Sequence, residues 1–540
     1  MAAPADAARK RGADQPSPYA SYVRARAADV KGDPALAASE YAAALAAHPT
    51  EAALMVRTFR QAILAGDRDL AMRAAHMADA AGQLPPDGRL LFLAETFGKR
   101  DWAGAAPVLD ALGEERLFSF MLPLLRAWIT FEADPAAGLA QLEATAATGP
   151  IAGYLPEHRV LMMLASGQID RAAASLSQLG EGPRLQQVQL RLLVAQALAA
   201  GGDKAGALAL LKDGDEPVAA LRQQIERGDA IKAPVIDPSF ALSSLLLRVA
   251  SDLSRTSPSP LPLALVRIAS FAAPTNDACW LAVGQFLDAA GLADTSLDAL
   301  SRIGPDSIFY VPARATRIRV LVGRGDEEAA LAEMQAEVRK ADVTVADWTM
   351  LGDILMKLDR HAEAADAYRA ALRQYSPSDK TREWSLWLLL GGALERGGNW
   401  PEAQEALEKA VALGPDEPVA LNYLGYAQLE RRQNVERAHA LIERASELRP
   451  DDAAITDSLG WALYLRGDIP AAIEKLETAA RGDPGGSEIN EHLGDVYWAA
   501  GRRIDARFAW QAAMVNAQSD DAERIRRKID FGPDQSAGKP

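Results

Sequence analysis

Apolar residues recur at three- and four-residue spacing along most of the chain. The stretches run a dozen or so residues and are broken by short turns rich in Gly, Asp and Asn. Stretches with strict two-residue alternation are scarce, so the pattern predicts an all-α protein. In the C-terminal half the helical stripes also keep a register. A glycine, or a residue in its place, falls mid-helix at Gly284, Ile318, Gly352, Gly391, Gly425, Gly460 and Gly494, with differences of 34, 34, 39, 34, 35 and 34. The small residue that opens the following helix falls at Ser296, Ala330, Ala364, Ala403, Ala438, Ala472 and Ala506, with differences of 34, 34, 39, 35, 34 and 34. Two independent landmarks in one phase through seven windows make the helical hairpin the repeating unit.

Other positions follow the same phase. Trp280, Arg314, Trp348, Trp387, Leu421, Thr456 and Asn490 stand four residues before the glycine position. Leu300, Met334, Tyr368, Leu407, Ile442, Leu476 and Trp510 stand four after the opening small residue. Pro415, Pro450 and Pro484 close units where the second helix must stop. This pattern resembles the tetratricopeptide repeat, a helix-turn-helix unit of 34 residues. The resemblance implies a right-handed α-solenoid, a superhelix of antiparallel helical hairpins. Glycine and alanine suit the points where two helices cross, and the Trp, Leu and Tyr positions act as knobs between neighbouring hairpins. A single hairpin cannot bury its apolar face alone, so stability comes from stacking.

The expected organisation is a disordered segment at 1–18 and degenerate hairpins of the same kind over 19–232. A Pro-interrupted helical connection at 233–276, seven repeat units over 277–520, a capping helix at 521–532 and a flexible tail at 533–540 follow. In the N-terminal half, turn-plus-alanine signals recur at Gly66-Asp67 with Ala71, Arg100-Asp101 with Ala105, and Gly202-Asp203 with Ala207, but the middle glycine is usually absent. The connection carries Pro234, Pro238, Pro258, Pro260 and Pro262. It is either a hinge or a segment packed against the solenoid, and Leu245, Leu246, Leu247, Val249 and Leu253 favour packing. The one-residue insertion at Asn434-Val435 and the five extra residues near 376–382 belong to loops or an added turn. In the capping helix Ile525 and Ile529 are expected inward, and Arg524, Arg526, Arg527 and Lys528 outward.

Charge narrows the partners. The net charge of −15 opposes nucleic acid and anionic lipid, both met first by Lys and Arg. The lone Cys279 precludes an internal disulfide and reads as a small buried hydrophobe rather than a reactive thiol. No signal-like apolar stretch and no run of about 18 apolar residues is present. The expectation is a soluble chain, cytoplasmic as it stands, or periplasmic or outer-membrane-associated if a leader has been removed.

Enzyme signatures such as HExxH, GxSxG, a phosphate loop or paired CxxC are missing, and the six histidines are scattered. No catalytic residue, metal site or cofactor is expected, and the chain reads as a non-catalytic scaffold. By register, the inner face of the superhelix receives Asn422, Tyr423 and Tyr426 from one unit. The next contributes Asp457, Ser458, Trp461 and Tyr464, and the last contributes Glu491, His492, Asp495 and Trp498. Aromatic rings and acids in a trough suit an extended peptide. The alternative is that Trp461, Tyr464 and Trp498 plug gaps between units. Chaperone-docking members of the family hold a peptide carboxylate with a Lys/Asn/Arg clamp. The corresponding Asn422, Asp457 and Glu491 are not basic, which disfavours that ligand. The segments around Leu421–Tyr426, Asp457–Tyr464 and Asn490–Asp495 are similar to long tetratricopeptide proteins of Gram-negative bacteria. Those include lipoprotein adaptors of carboxyl-terminal processing proteases, and the resemblance implies a role in envelope assembly or proteolysis. This chain lacks their leader and lipobox cysteine. The partner is thus a protein or peptide, with self-association along the solenoid edge as the alternative.

Overall fold

The structure is a computed structural model describing residues 18–115, 117–176, 184–212, 216–255, 260–340, 343–375 and 383–533. The expected disordered start, flexible tail and extra loop at 376–382 lie outside the described residues, apart from Pro18 and Pro533. Every described element is helical, and no strand occurs among the described residues. The chain forms two compact units, Met1–Gly325 and Asp326–Pro540.

The first unit begins with the hairpins α1 (Pro18–Lys31) with α2 (Pro34–Ala47), α3 (Ala52–Ala65) with α4 (Arg68–Ala80), and α5 (Pro86–Gly98) with α6 (Trp102–Glu114). Three more follow: α7 (Leu122–Ala133) with α8 (Pro135–Ala144), α9 (Leu155–Ala165) with α10 (Ile169–Leu176), and α11 (Arg184–Ala200) with α12 (Lys204–Leu210). Then come α13 (Glu216–Arg227), α14 (Pro238–Ser254), α15 (Leu261–Ala272), α16 (Asp277–Ala289), α17 (Ala293–Leu300) and α18 (Tyr310–Gly323).

One local device makes the turn in most of these hairpins. A left-handed residue ends the first helix at Gly32, Gly66, Arg100, Gly167 and Gly202. At four of these turns an aspartate then opens the second helix by accepting a hydrogen bond from its exposed backbone N–H. Asp33 accepts from Leu36, Asp67 from Leu70, Asp101 from Gly104 and Asp203 from Gly206, each at 2.9 Å. At α7–α8 the left-handed residue is missing and Asp134 caps α8 directly, through the N–H groups of Ala136 and Ala137.

Helices α14 and α15 do not form another repeat. Helix α15 packs on α3 and α5, and α14 packs on α5 and α7, all of them first helices of their hairpins. Every residue of α15 from Pro262 to Ala272 is buried, so this mostly apolar helix is enclosed on all sides and serves as core. Polar groups tie the pair in place. Arg267 Nη2 donates to the Leu64 carbonyl at 3.0 Å, Tyr154 donates to Asp252 at 3.1 Å, and Arg248 pairs with Glu157 and Asp252. Leu245, Leu246, Leu247 and Val249 are buried and Leu253 is half-buried.

The second unit starts with α19 (Glu327–Glu337). The hairpins α20 (Val345–Lys357) with α21 (His361–Gln374), α22 (Glu383–Arg396) with α23 (Trp400–Leu413), and α24 (Pro418–Glu430) with α25 (Val435–Leu448) follow. It ends with α26 (Ala453–Leu465), α27 (Ile469–Gly482), α28 (Ser487–Ala499), α29 (Arg503–Val515) and α30 (Ser519–Phe531). Here the repeat landmarks acquire their geometry. A Cβ on Gly391 would lie 2.6 Å from Leu407, and one on Gly425 or Gly460 would lie 2.7 Å from Ile442 or Leu476. Gly352 meets Tyr368 and Gly494 meets Trp510 more closely still, and Gly284 does the same with Leu300 in the first unit. The knob stands sixteen residues after its glycine except at Ile442, seventeen after Gly425. There the inserted residue is absorbed by a turn with left-handed Arg432 and Asn434. The seven small residues that open second helices are all fully buried.

Successive first helices α22, α24, α26 and α28 touch one another, whereas the second helices make no comparable contacts. The first helices therefore lie on the inside of the curve. The last hairpin is covered by α30, with Ile525 buried and Ile529 half-buried. The expected outward direction of Lys528 is corrected: its Nζ lies 2.6 Å from both Glu491 Oε1 and Asp495 Oδ2, because those two acids need a cation when buried. Arg524 also pairs with Glu491.

Candidate peptide-binding hollow

The inner faces of α24, α26 and α28 surround a hollow of about 910 Å³. Its floor holds Tyr423, Tyr426, Ala427 and Ser458, and its rim carries Glu395, Arg396, Glu430, Arg431 and Glu488. Asn422 also faces it, and the buried Asn422 Oδ1 has no hydrogen-bond partner. Register reasoning named Asn422, Tyr423, Tyr426, Asp457 and Ser458, and the fold brings all five to this hollow.

The rest of the expected set is placed differently. Trp461 stacks on His492 with ring centroids 4.2 Å apart, packs against Tyr464 at 5.0 Å, and donates to Glu430 at 2.9 Å. The His492 imidazole lies 3.0 Å from Asp457. Burial would depress its pKa, but the Asp457 carboxylate, with Glu488 and Asp495 adding to it, outweighs that and pushes it up to about 9. The pair is thus an internal ion pair that fixes α28 against α26. Glu491, Asp495 and Trp498 turn toward the C-terminal helix. Glu491 and Asp495 meet Lys528, Asp495 also accepts from Trp510 at 3.0 Å, and Trp498 packs on Trp510 and against Gly532. Burial raises the Asp495 pKa despite Lys528.

Sequence reasoning missed Glu488, Glu395 and the two arginines. Glu488 accepts from the Tyr426 hydroxyl at 2.6 Å from two units away, a contact that curvature alone creates. Burial and Glu488 together raise the Tyr426 pKa, and burial followed by Glu395 does so for Tyr423. Arg431 pairs with Glu395 at 2.5 Å and lies over Trp400 at 4.2 Å. The arrangement offers ring faces, hydrogen-bond acceptors and rim carboxylates, and no nucleophile–base pair. Among the described residues no His, Cys, Asp or Glu group could hold a metal ion, and no helix is long and apolar enough to cross a membrane. Cys279 is buried, which pushes its thiol up to about 12.

A tetratricopeptide repeat model matches residues 384–428, and a second matches 316–379, 424–487 and 458–522. No curated protein matches the chain, and the implied likeness to protease adaptors gains no support. Similar solved structures include YrrB, described as a tetratricopeptide protein with an unusual peptide-binding site. It is 17% identical over 36% of this chain and 97% of its own, with a TM-score of 0.27. A tetratricopeptide repeat protein from Parabacteroides merdae is 11% identical over 47% of this chain and 97% of its own, with a TM-score of 0.39. A C-terminal part of one from Cytophaga hutchinsonii is 19% identical over 45% and 98%, with a TM-score of 0.31. With hairpins in register and repeat models matching within 316–522, this part of the chain carries tetratricopeptide repeats.

Proposed function

We propose that the protein is a non-catalytic scaffold that holds an extended polypeptide segment in the hollow between α24, α26 and α28. The observation that carries this is a contrast between the two units. In the first, α14 and α15 cover the inner helices α3, α5 and α7. In the second, the corresponding surface stays open as a hollow of about 910 Å³. Asn422 lines the hollow as a polar group, and the Tyr423 and Tyr426 rings offer surfaces for a peptide's side chains. The rim acids Glu430 and Glu488 lend it an acidic lean, balanced locally by Arg396 and Arg431. Affinity capture from a native lysate with wild type and with Asn422→Ala/Glu430→Ala tests the reading. The variant should lose partners that the wild type retains. An unchanged set of partners on a folded variant rejects the hollow as the binding site.

A further inference from the structure

Exposed large apolar side chains are not scattered evenly over this protein. Of thirteen among the described residues, nine lie in the first hairpin or in the last two helices, and only four in everything between. Each end carries a stripe. On α1, Tyr19, Val23 and Val30 are 77%, 65% and 80% exposed. On α29, Ile504, Phe508 and Val515 are 72%, 66% and 79% exposed. Both sets follow i, i+4 and i+11 spacing, which aligns them along about three turns of one helix face.

Register shows that these are different faces. The opening small residue of α29 is Ala506, so its stripe occupies positions that on α27 are Pro470, Glu474 and Arg481, and on α25 are Glu436, Ala440 and Glu447. Those are exposed positions of second helices, held by Glu, Arg, Pro or Ala in the two earlier units and by large apolar side chains only at the last. On α1, Ala25 stands at the middle-glycine position. Tyr22, Val23 and Val30 therefore match Asn422, Tyr423 and Glu430 of α24, the inner-face register. The pair α14–α15 packs on α3, α5 and α7, one hairpin short of α1, and leaves this inner stripe open.

The two stripes have the same spacing and length but lie at opposite ends of the chain, so each can cover the other in a second copy. We propose that the protein associates with copies of itself head to tail, the α29 ridge of one molecule seating on the inner face of α1 of the next. Such a heterologous contact builds rings or open filaments rather than a symmetric dimer. One helix laid on another is small beside a standard interface of about 800 Å² per partner, so assembly depends on concentration.

Sedimentation velocity of the full chain across a hundredfold concentration range tests this, with Val23→Asp and Phe508→Asp as variants. Both side chains are exposed, and circular dichroism checks that the fold survives. The wild-type mass should climb beyond that of two chains. Each variant alone should stay monomeric at concentrations at least tenfold higher. An equimolar mixture should form two-chain species and nothing larger, because one variant keeps the intact head and the other the intact tail. A wild type that remains a monomer throughout overturns the proposal. So does a Val23→Asp protein that self-associates like wild type, which would place α29 against its own copy, and so does a mixture that stays monomeric.

Discussion

The middle glycine shows how a single side chain sets a helix crossing. At Gly494 the indole of fully buried Trp510 occupies the space a Cβ would need. Gly467, by contrast, has no neighbour within 4 Å, and only its left-handed backbone resists a side chain. Gly494→Ala should therefore cost about 2 kcal/mol by overpacking and Gly467→Ala about 1 kcal/mol, read from urea denaturation midpoints. Equal costs would mean that the hairpin yields at the crossing. The same logic explains why the N-terminal repeats were hard to see in the sequence. In α3 the glycine position holds Phe59 and the knob position on α4 holds Ala75, both fully buried, so the small and large partners have changed places. Volume at the crossing is conserved while the landmark residue disappears.

At the scale of elements, what a helix packs against mattered more than its own pattern. The apolar periodicity of 233–276 announces helices, but a mostly apolar helix such as α15 gives no direction, and its seat on α3 and α5 is set by the curve of the first unit. The C-terminal helix tells a similar story from the polar side. Its Lys528 is the shared partner of Glu491 and Asp495, whose side chains are 6% and 15% exposed. Removing the cation strands two buried acids, so Lys528→Met should destabilise the last hairpin by about 3 kcal/mol. Limited proteolysis should then cut α28–α30 faster than the preceding repeats, and Asp495→Asn in the same background should restore part of the protection. A variant as resistant as wild type would show that Arg524 alone neutralises the site.

Taken as a whole, the molecule consists of two compact units with opposite responses to pH. In the first, His158 is buried and accepts from Trp128 Nε1 at 3.0 Å, and burial lowers its pKa to about 3. It stays neutral in the fold but gains a proton when unfolded, so stability is lost as pH falls from about 6.5 toward 3. In the second, the pKa of His492 is raised to about 9 beside Asp457. Its contribution is complete below about 6.5 and disappears as pH climbs through 9, at no more than about 1.4 kcal/mol per pH unit. Hydrogen exchange resolved by peptide should show the first unit opening sooner at pH 5 and the α26–α28 region opening sooner at pH 9. His492→Gln should remove the alkaline slope. A profile common to both units would rule out this assignment.

By itself the sequence determined the helical class, the register of the glycine–knob pairs in the C-terminal hairpins, the turns, and five of the residues that meet in the hollow. All of these depend on spacing within a unit or between neighbours, where a period of 34 repeats the same local geometry. Tertiary structure alone decided that α14 and α15 fill the inner face of the first unit and that α30 draws Glu491 and Asp495 away from the trough. It also decided that Glu488 reaches Tyr426 across 62 residues. These contacts arise from the accumulated curvature of many stacked hairpins, and no single repeat encodes that curvature.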